Sequence, residues 1–180
     1  MPGTPDNQWP QFEGMSATAD EVAKQAIQDV ARHEEQLVKL IFFHDDRALR
    51  VIAVYGPLLG VLMAGTIALY QAGKLTLFLG LMIGGTGVSF MVGFLCAFAA
   101  LWNAPIYLPS RKPPFWQWAL KHDVELREVA MAYVEQSAAM VIHNERHSLR
   151  ASGYLTKAYT CGVAAPFAGA ALVWMAYWSR

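Results

Sequence analysis

The chain has 180 residues, of which 55% are apolar and 16% charged, and its 14 basic and 14 acidic side chains cancel. The charged share lies below the ~25% usual for soluble domains, which excludes an ordinary water-soluble globule. The roughly one hundred residues left outside three uncharged stretches are too few for a separate enzymatic domain with a large core of its own.

Residues 1–17, with Pro2, Pro5 and Pro10, predict an irregular tail in which Trp9 and Phe12 need burial, for instance against a neighbouring subunit. The start has no basic segment followed by an apolar run, so no cleavable signal peptide is expected. Thr18-Ala-Asp-Glu21 has the form of a capping box and opens a cytoplasmic helix over 18–50. Along it Ala23, Ala26, Val30, His33, Leu37, Leu40 and His44 recur every three or four residues. That stripe is a packing seam, either for self-association or for a second helix of the same chain.

From Val51 onward the chain reads as a transmembrane hairpin over 51–107. A bilayer core needs roughly 20 apolar residues in a helix, and Val51 to Gly73 holds no charge, nor does 75–110. The spans are set at 51–71 and 76–103. Pro105, Pro109, Pro113 and Pro114 are expected to stop any helix. Residues 108–152 then form a cytoplasmic linker and a long helix from about Trp116 to Arg150, apolar over much of its circumference. Gly153 offers a break before a third span within 153–180, where no charge falls between Lys157 and Arg180.

Arg47 and Arg50, then Arg111, Lys112, Lys121 and Arg127, then Arg146, Arg150 and Lys157 flank one side of the spans, against Lys74 alone in the short turn. The positive-inside rule puts the N-terminus in the cytoplasm and the C-terminus outside. Trp174, Tyr177 and Trp178 mark the outer interface, and Trp102, Tyr107, Phe115, Trp116 and Trp118 the inner one. The expected fold class is thus all-α integral membrane, with three transmembrane and two cytoplasmic helices per chain, in an oligomeric bundle.

The spans are rich in small residues at helical spacing. Gly56, Gly60 and Ala64 lie in the first; Gly80 and Gly84, and separately Gly85, Ser89 and Gly93, in the second; Gly162, Ala165, Gly169 and Ala176 in the third. Such spacing lets membrane helices approach closely. Two small-residue faces on span two exceed what three helices need, and Thr86, Ser89 and Asn103 give it mild polarity beside Phe90, Phe94 and Phe98. The expected pore lining is Gly85, Thr86, Ser89, Phe90 and Gly93, gated by dewetting, with plain helix packing as the other reading.

Chemistry-bearing motifs are scarce. His143-Asn-Glu-Arg-His147 puts two histidines on one helix face, but it matches neither zinc-helix pattern and has no third ligand nearby, so no metal is expected. Cys96 and Cys161 read as small buried hydrophobes. No phosphate-binding loop, dinucleotide fingerprint or nucleophile elbow occurs, so no enzyme and no cofactor are expected. No charge lies inside a span, which argues against a proton-coupled transporter. Residues 1–46 hold nine acidic and three basic side chains, a net of −6 against +6 for the rest. An acidic collar concentrates cations around a pore and disfavours polyanions. Arg47, Arg50, Arg146, His147 and Arg150, with Lys157, are the candidate anion-binding positions, their plainer role being contact with lipid headgroups.

The order of parts carries a resemblance. A helix enters an apolar hairpin through Asp45-Asp-Arg-Ala48, and a long helix ends in Asn144-Glu-Arg-His-Ser-Leu-Arg150 directly before a last span. Over residues 30–178 this layout resembles the transmembrane effectors of bacterial antiphage systems, the Pycsar-type and SLATT-like proteins. The resemblance implies a homo-oligomeric inner-membrane effector, gated by a nucleotide or oligonucleotide from a partner nucleotidyltransferase or cyclase, that disrupts the membrane as an ion channel. Pycsar-type proteins often carry a separate cyclic-nucleotide-binding domain; none is present, so sensing would fall to the helical collar. The alternative is a non-conducting membrane scaffold or sensor subunit that recruits a cytoplasmic partner.

Overall fold

A computed structural model describes residues 18–102, 106–108, 112–121 and 124–179. Among these residues the regular structure is helical: α1 (Ala19–Gln71), α2 (Leu77–Ala100), α3 (Pro113–Lys121) and α4 (Leu126–Trp178). The irregular tail expected over 1–17 lies outside the described residues, as do Asn103, Pro105, Pro109 and Arg111. Three helices, α1, α2 and α4, are long and apolar enough to cross a membrane. In each, less than a fifth of the most apolar 18-residue stretch is buried within the chain. The protein's own core therefore does not cover these faces, and lipid is their natural solvent.

Helices α1 and α4 each run for 53 residues, about 80 Å at 1.5 Å per residue. The chain segments 18–50 and 51–71 are thus one helix. The break expected at Gly153 is absent, because residues on both sides of Gly153 continue the same helix. Pro57 and Pro166 also lie inside helices. Each removes one backbone hydrogen bond, which a membrane helix tolerates when neighbouring groups compensate.

Helix ends follow local chemistry. The Thr18 hydroxyl accepts from the Glu21 amide (3.4 Å) and the Thr18 amide donates to the Glu21 carboxylate (2.8 Å), closing the capping box. Backbone bonds from Lys74 to Leu69 and from Gly73 to Tyr70 end α1, with Gly73 at φ +64°. This is the left-handed C-terminal cap that favours glycine. The Thr76 hydroxyl then caps α2 through the Leu79 amide (3.3 Å). Pro113 and Pro114 do not stop a helix; they begin α3, where a missing amide costs no helical bond. The long helix expected from Trp116 to Arg150 is consequently two helices, α3 and α4.

The polar halves of α1 and α4 pack side by side, and α2 adds to both over the apolar halves. The α4 seam repeats every seven residues through Ala130, Ser137, Asn144, Ala151, Ala158 and Ala165, all buried. The facing seam of α1 buries Glu34, Ile41, Ala48 and Tyr55 at the same period. Of the expected α1 stripe, Ala23 is buried and Val30, Leu37 and His44 are partly buried, whereas His33 and Leu40 are exposed. The seam takes Glu34 and Ile41 instead, one position on. A sustained seven-residue repeat keeps two long helices in register through a gentle left-handed supercoil.

One expectation about the bilayer edge changes. The rings of Phe115 and Trp116 lie beside Tyr133 (centroids 6.2 and 6.5 Å). Tyr133 precedes Lys157 by 24 positions on one unbroken helix, roughly 36 Å. Phe115, Trp116 and Trp118 therefore belong to the polar half of the molecule and not to an aromatic belt at the edge of the spans.

Candidate functional site

Two polar or glycine-built regions interrupt the apolar packing. The first lies inside the apolar halves. Tyr55 of α1 enters a slot made by Gly93 of α2 and Gly162 of α4. A Cβ added at Gly93 would sit 2.7 Å from the Tyr55 ring, and one at Gly162 would overlap the Tyr55 hydroxyl. That hydroxyl donates to the Ala158 carbonyl at 3.0 Å, and the ring meets Phe90 edge-on at 5.2 Å. One turn along α2, the Ser89 hydroxyl donates to the Cys161 carbonyl at 2.8 Å. Further along, Gly85 and Gly169 bring backbones together, since a Cβ on Gly85 would stand 3.0 Å from the Gly169 Cα. A Cβ on Gly169 would stand 2.7 Å from the Thr86 hydroxyl.

Gly85, Thr86, Ser89, Phe90 and Gly93, the positions expected to line a pore, thus form contacts with α4 and α1 of the same chain. Their small size and mild polarity serve close helix approach and hydroxyl-to-carbonyl bonds. The other small-residue face is open: a Cβ at Gly60, Gly80 or Gly84 would meet nothing within 4 Å. Cys96 and Cys161 are free thiols, each partly buried.

The second region is the junction between polar and apolar halves. Asn144 is buried, and its amide clamps the backbone of Tyr107: Nδ2 donates to the Tyr107 carbonyl (2.8 Å) and Oδ1 accepts from the Tyr107 amide (3.2 Å). Both backbone groups of Tyr107, in the α2–α3 connection, are satisfied by one side chain. The Tyr107 ring stands edge-on to His143 at 5.1 Å. His33 of α1 approaches Glu145 of α4 at 3.7 Å. Burial pushes the His44 imidazole below its ordinary value, with Arg47 adding to the shift and Asp45 opposing it. Burial also raises the Asp45 carboxyl, against the pull of His147 and His44.

The expected anion-binding residues all fall near this junction, but they do not converge on one another. Arg50 pairs with Asp46 at 2.7 Å, Arg47 lies 4.1 Å over the Phe43 ring, and Arg150 lies 5.6 Å over Tyr154, each within its own helix. Arg146 is exposed, and His147 faces Asp45 across the helix pair. The two histidines of the His143–His147 pair therefore have different neighbours. Among the described residues, no group of three or more His, Cys, Asp or Glu side chains is placed to hold a metal ion.

Sequence reasoning read Asn144 only as part of a basic run and Tyr107 as a membrane anchor. The signal for Asn144 was the seven-residue series Ala130, Ser137, Asn144, Ala151, Ala158 and Ala165, in which each small residue marks the seam. Tyr55 carried no comparable signal, because a lone tyrosine in a span resembles any aromatic filler. Comparison of the chain with protein families, with curated proteins and with solved structures finds no match in any of the three.

Proposed function

We propose that this chain is the subunit of a homo-oligomeric membrane effector, in which a ligand or partner acts on the polar halves of α1 and α4 and the spans respond. The observation that carries this reading is continuity: two 53-residue helices join the polar half to the apolar half without a loop. A rigid helix transmits displacement along its axis, whereas a flexible linker would absorb it. The signal on this reading is a nucleotide or oligonucleotide made by a partner nucleotidyltransferase or cyclase, and it meets Arg47, Arg50, Arg146, His147 and Arg150. The N-terminus and α3 lie in the cytoplasm and the C-terminus outside, as the flanking charges favour. Conduction, on this reading, requires α2 to part from α4 at Gly85, Ser89 and Gly93, or a path between subunits.

A second reading, a non-conducting scaffold or sensor subunit, is favoured by those same α2 contacts, which engage the expected pore positions in packing within one chain. Recording from the purified protein in planar bilayers separates the two. Discrete conductance steps that answer to one added nucleotide support the effector. A silent bilayer, with the oligomer verified in the same membrane and the full panel of nucleotides tried, supports the scaffold.

A further inference from the structure

The polar half of the chain carries an aromatic ridge and an apolar groove on opposite sides of α4. The ridge is α3, held against α4 by Phe115 and Trp116 at Tyr133. Trp116 and Trp118 remain partly open to solvent, Trp118 at the cavity between α3 and α4, and Leu120 is exposed at 81%. The groove is a cavity of about 760 Å³ between the first two turns of α1 and the start of α4. Val22, Ala26, Met131 and Val134 form its apolar lining, and Arg127 and Glu135 its polar one. The cavity on the ridge side takes Ala132, Gln136 and Met140 from α4. At 100° per residue these three centre about 180° round the helix from Arg127, Met131 and Val134.

We infer that α3 of one copy docks into the α1–α4 groove of the next copy, so that the chain assembles head to tail around an axis normal to the membrane. This rests on the proposed homo-oligomer and names its interface. Three observations select a second copy as the occupant. Height is the first: copies embedded in one bilayer with one orientation share the same depth, and ridge and groove both lie at residues 127–135 of α4. Direction is the second: a ridge and a groove on different faces of α4 give a heterologous contact that repeats from copy to copy, and it makes a ring where the rotation between copies closes. Charge is the third: Lys112 and Lys121 bracket α3, with no acid between them. In the groove Glu135 is balanced by Arg127, and Asp20 and Glu21 in the adjoining first turn of α1 tip the surroundings toward acid. Exposed indoles entering an apolar, acid-flanked groove suit both surfaces, and each is otherwise a large apolar patch in water.

The test uses the full chain in its membrane, with Cys96→Ala and Cys161→Ala as background, followed by mild oxidation. Two pairs are made, Leu120→Cys with Met131→Cys and Trp118→Cys with Val22→Cys. At least one pair is expected to give a ladder of covalent oligomers that ends at the subunit number, while each single cysteine gives none. Lys121→Glu should lower the yield at least fivefold, and adding Glu135→Lys should restore it. Native mass spectrometry of the same membranes separates the two levels of the argument. Oligomers without a ladder from either pair overturn the interface alone; monomers overturn the homo-oligomer itself. Dimers from Leu120→Cys alone would mean that α3 meets α3, and would overturn the head-to-tail contact. So would a Trp9→Cys to Met131→Cys bond closing within one chain, since the groove would then hold the chain's own first residues.

Discussion

The Tyr55 hydroxyl occupies the space that a side chain at position 162 would fill. Glycine at 162 is what lets a residue of α1 reach the Ala158 carbonyl of α4, and glycine at 93 admits the same ring from the α2 side. The three spans are keyed together by one aromatic side chain and two missing ones.

Gly162→Ala should therefore expel the ring and destabilise the unit more than Tyr55→Phe does. The latter loses one hydroxyl-to-carbonyl bond, about 0.6 kcal/mol on average and up to ~1.7 kcal/mol in membrane helices. In Tyr55→Ala/Gly162→Ala the two losses should not add, with a coupling of at least ~0.5 kcal/mol. Reversible unfolding in mixed micelles of the wild type, Tyr55→Ala, Gly162→Ala and the double variant measures the coupling, with Tyr55→Phe beside them; strict additivity would remove Tyr55 from the slot.

Gly169→Ala should cost on the order of 1–3 kcal/mol, as overpacking does. Part of what its new methyl would meet is the Met82 backbone, which cannot rotate away. Gly80→Ala is the control: nothing lies within 4 Å, so it should stay within about 0.5 kcal/mol in monomeric detergent. The same unfolding assay reports both, and equal effects would contradict the close approach of α2 and α4.

Asn144→Ala leaves a backbone amide and a carbonyl of Tyr107 without their side-chain partner, at a cost of about 1–3 kcal/mol. Asn144→Asp keeps the acceptor and loses the donor, so it should fall between. Hydrogen exchange at residues 106–108 should speed up in that order. Unchanged exchange in Asn144→Ala would mean that other contacts hold the connection.

Acidification should loosen the junction through His44. Its folded value lies below the ordinary 6.5 because of burial, so the folded state binds fewer protons than the unfolded one just below that pH. The contribution is complete above 6.5 and is lost as pH falls toward the folded value. Asp45 acts in another window with the opposite sign. Burial raises it from 3.8, so stability declines as pH rises from 3.8 through its folded value. A thermal melt series should show Tm falling as pH drops below 6.5, and His44→Asn should flatten that slope. An unaltered slope would assign it to another group.

The three apolar helices, the capping box at Thr18 and the turn at Gly73 were legible because each depends on neighbours in sequence. Charge-free length, a Thr–Glu spacing of three and a glycine between two apolar runs are local signals. Where reading failed, the deciding partner was distant. What the sequence does not show at Ser89 is the Cys161 carbonyl that accepts its hydrogen bond. Pro113 looked like a stop because a proline ends one helix and starts another with the same chemistry. Glu34 carries no apolar signal for a seam, since charged residues are seldom buried, and the expected stripe runs through His33 and Leu40 instead. The seven-residue series of small side chains in α4 was legible in principle, but large apolar residues on other faces masked it.

Pro57 lies two residues beyond Tyr55, and Pro166 lies four beyond Gly162. Each long helix therefore lacks one backbone hydrogen bond close to where the tyrosine key joins it to the others. That arrangement is a fulcrum: stiff arms on either side and a softened point at the pin. From Ala19 to Pro57 the polar arm measures about 57 Å, so a tilt of about 5° at the pin sweeps its far end through about 5 Å. On the effector reading proposed above, a push at the tip of the stalk would reach Gly93 and Gly162 as a much smaller shift.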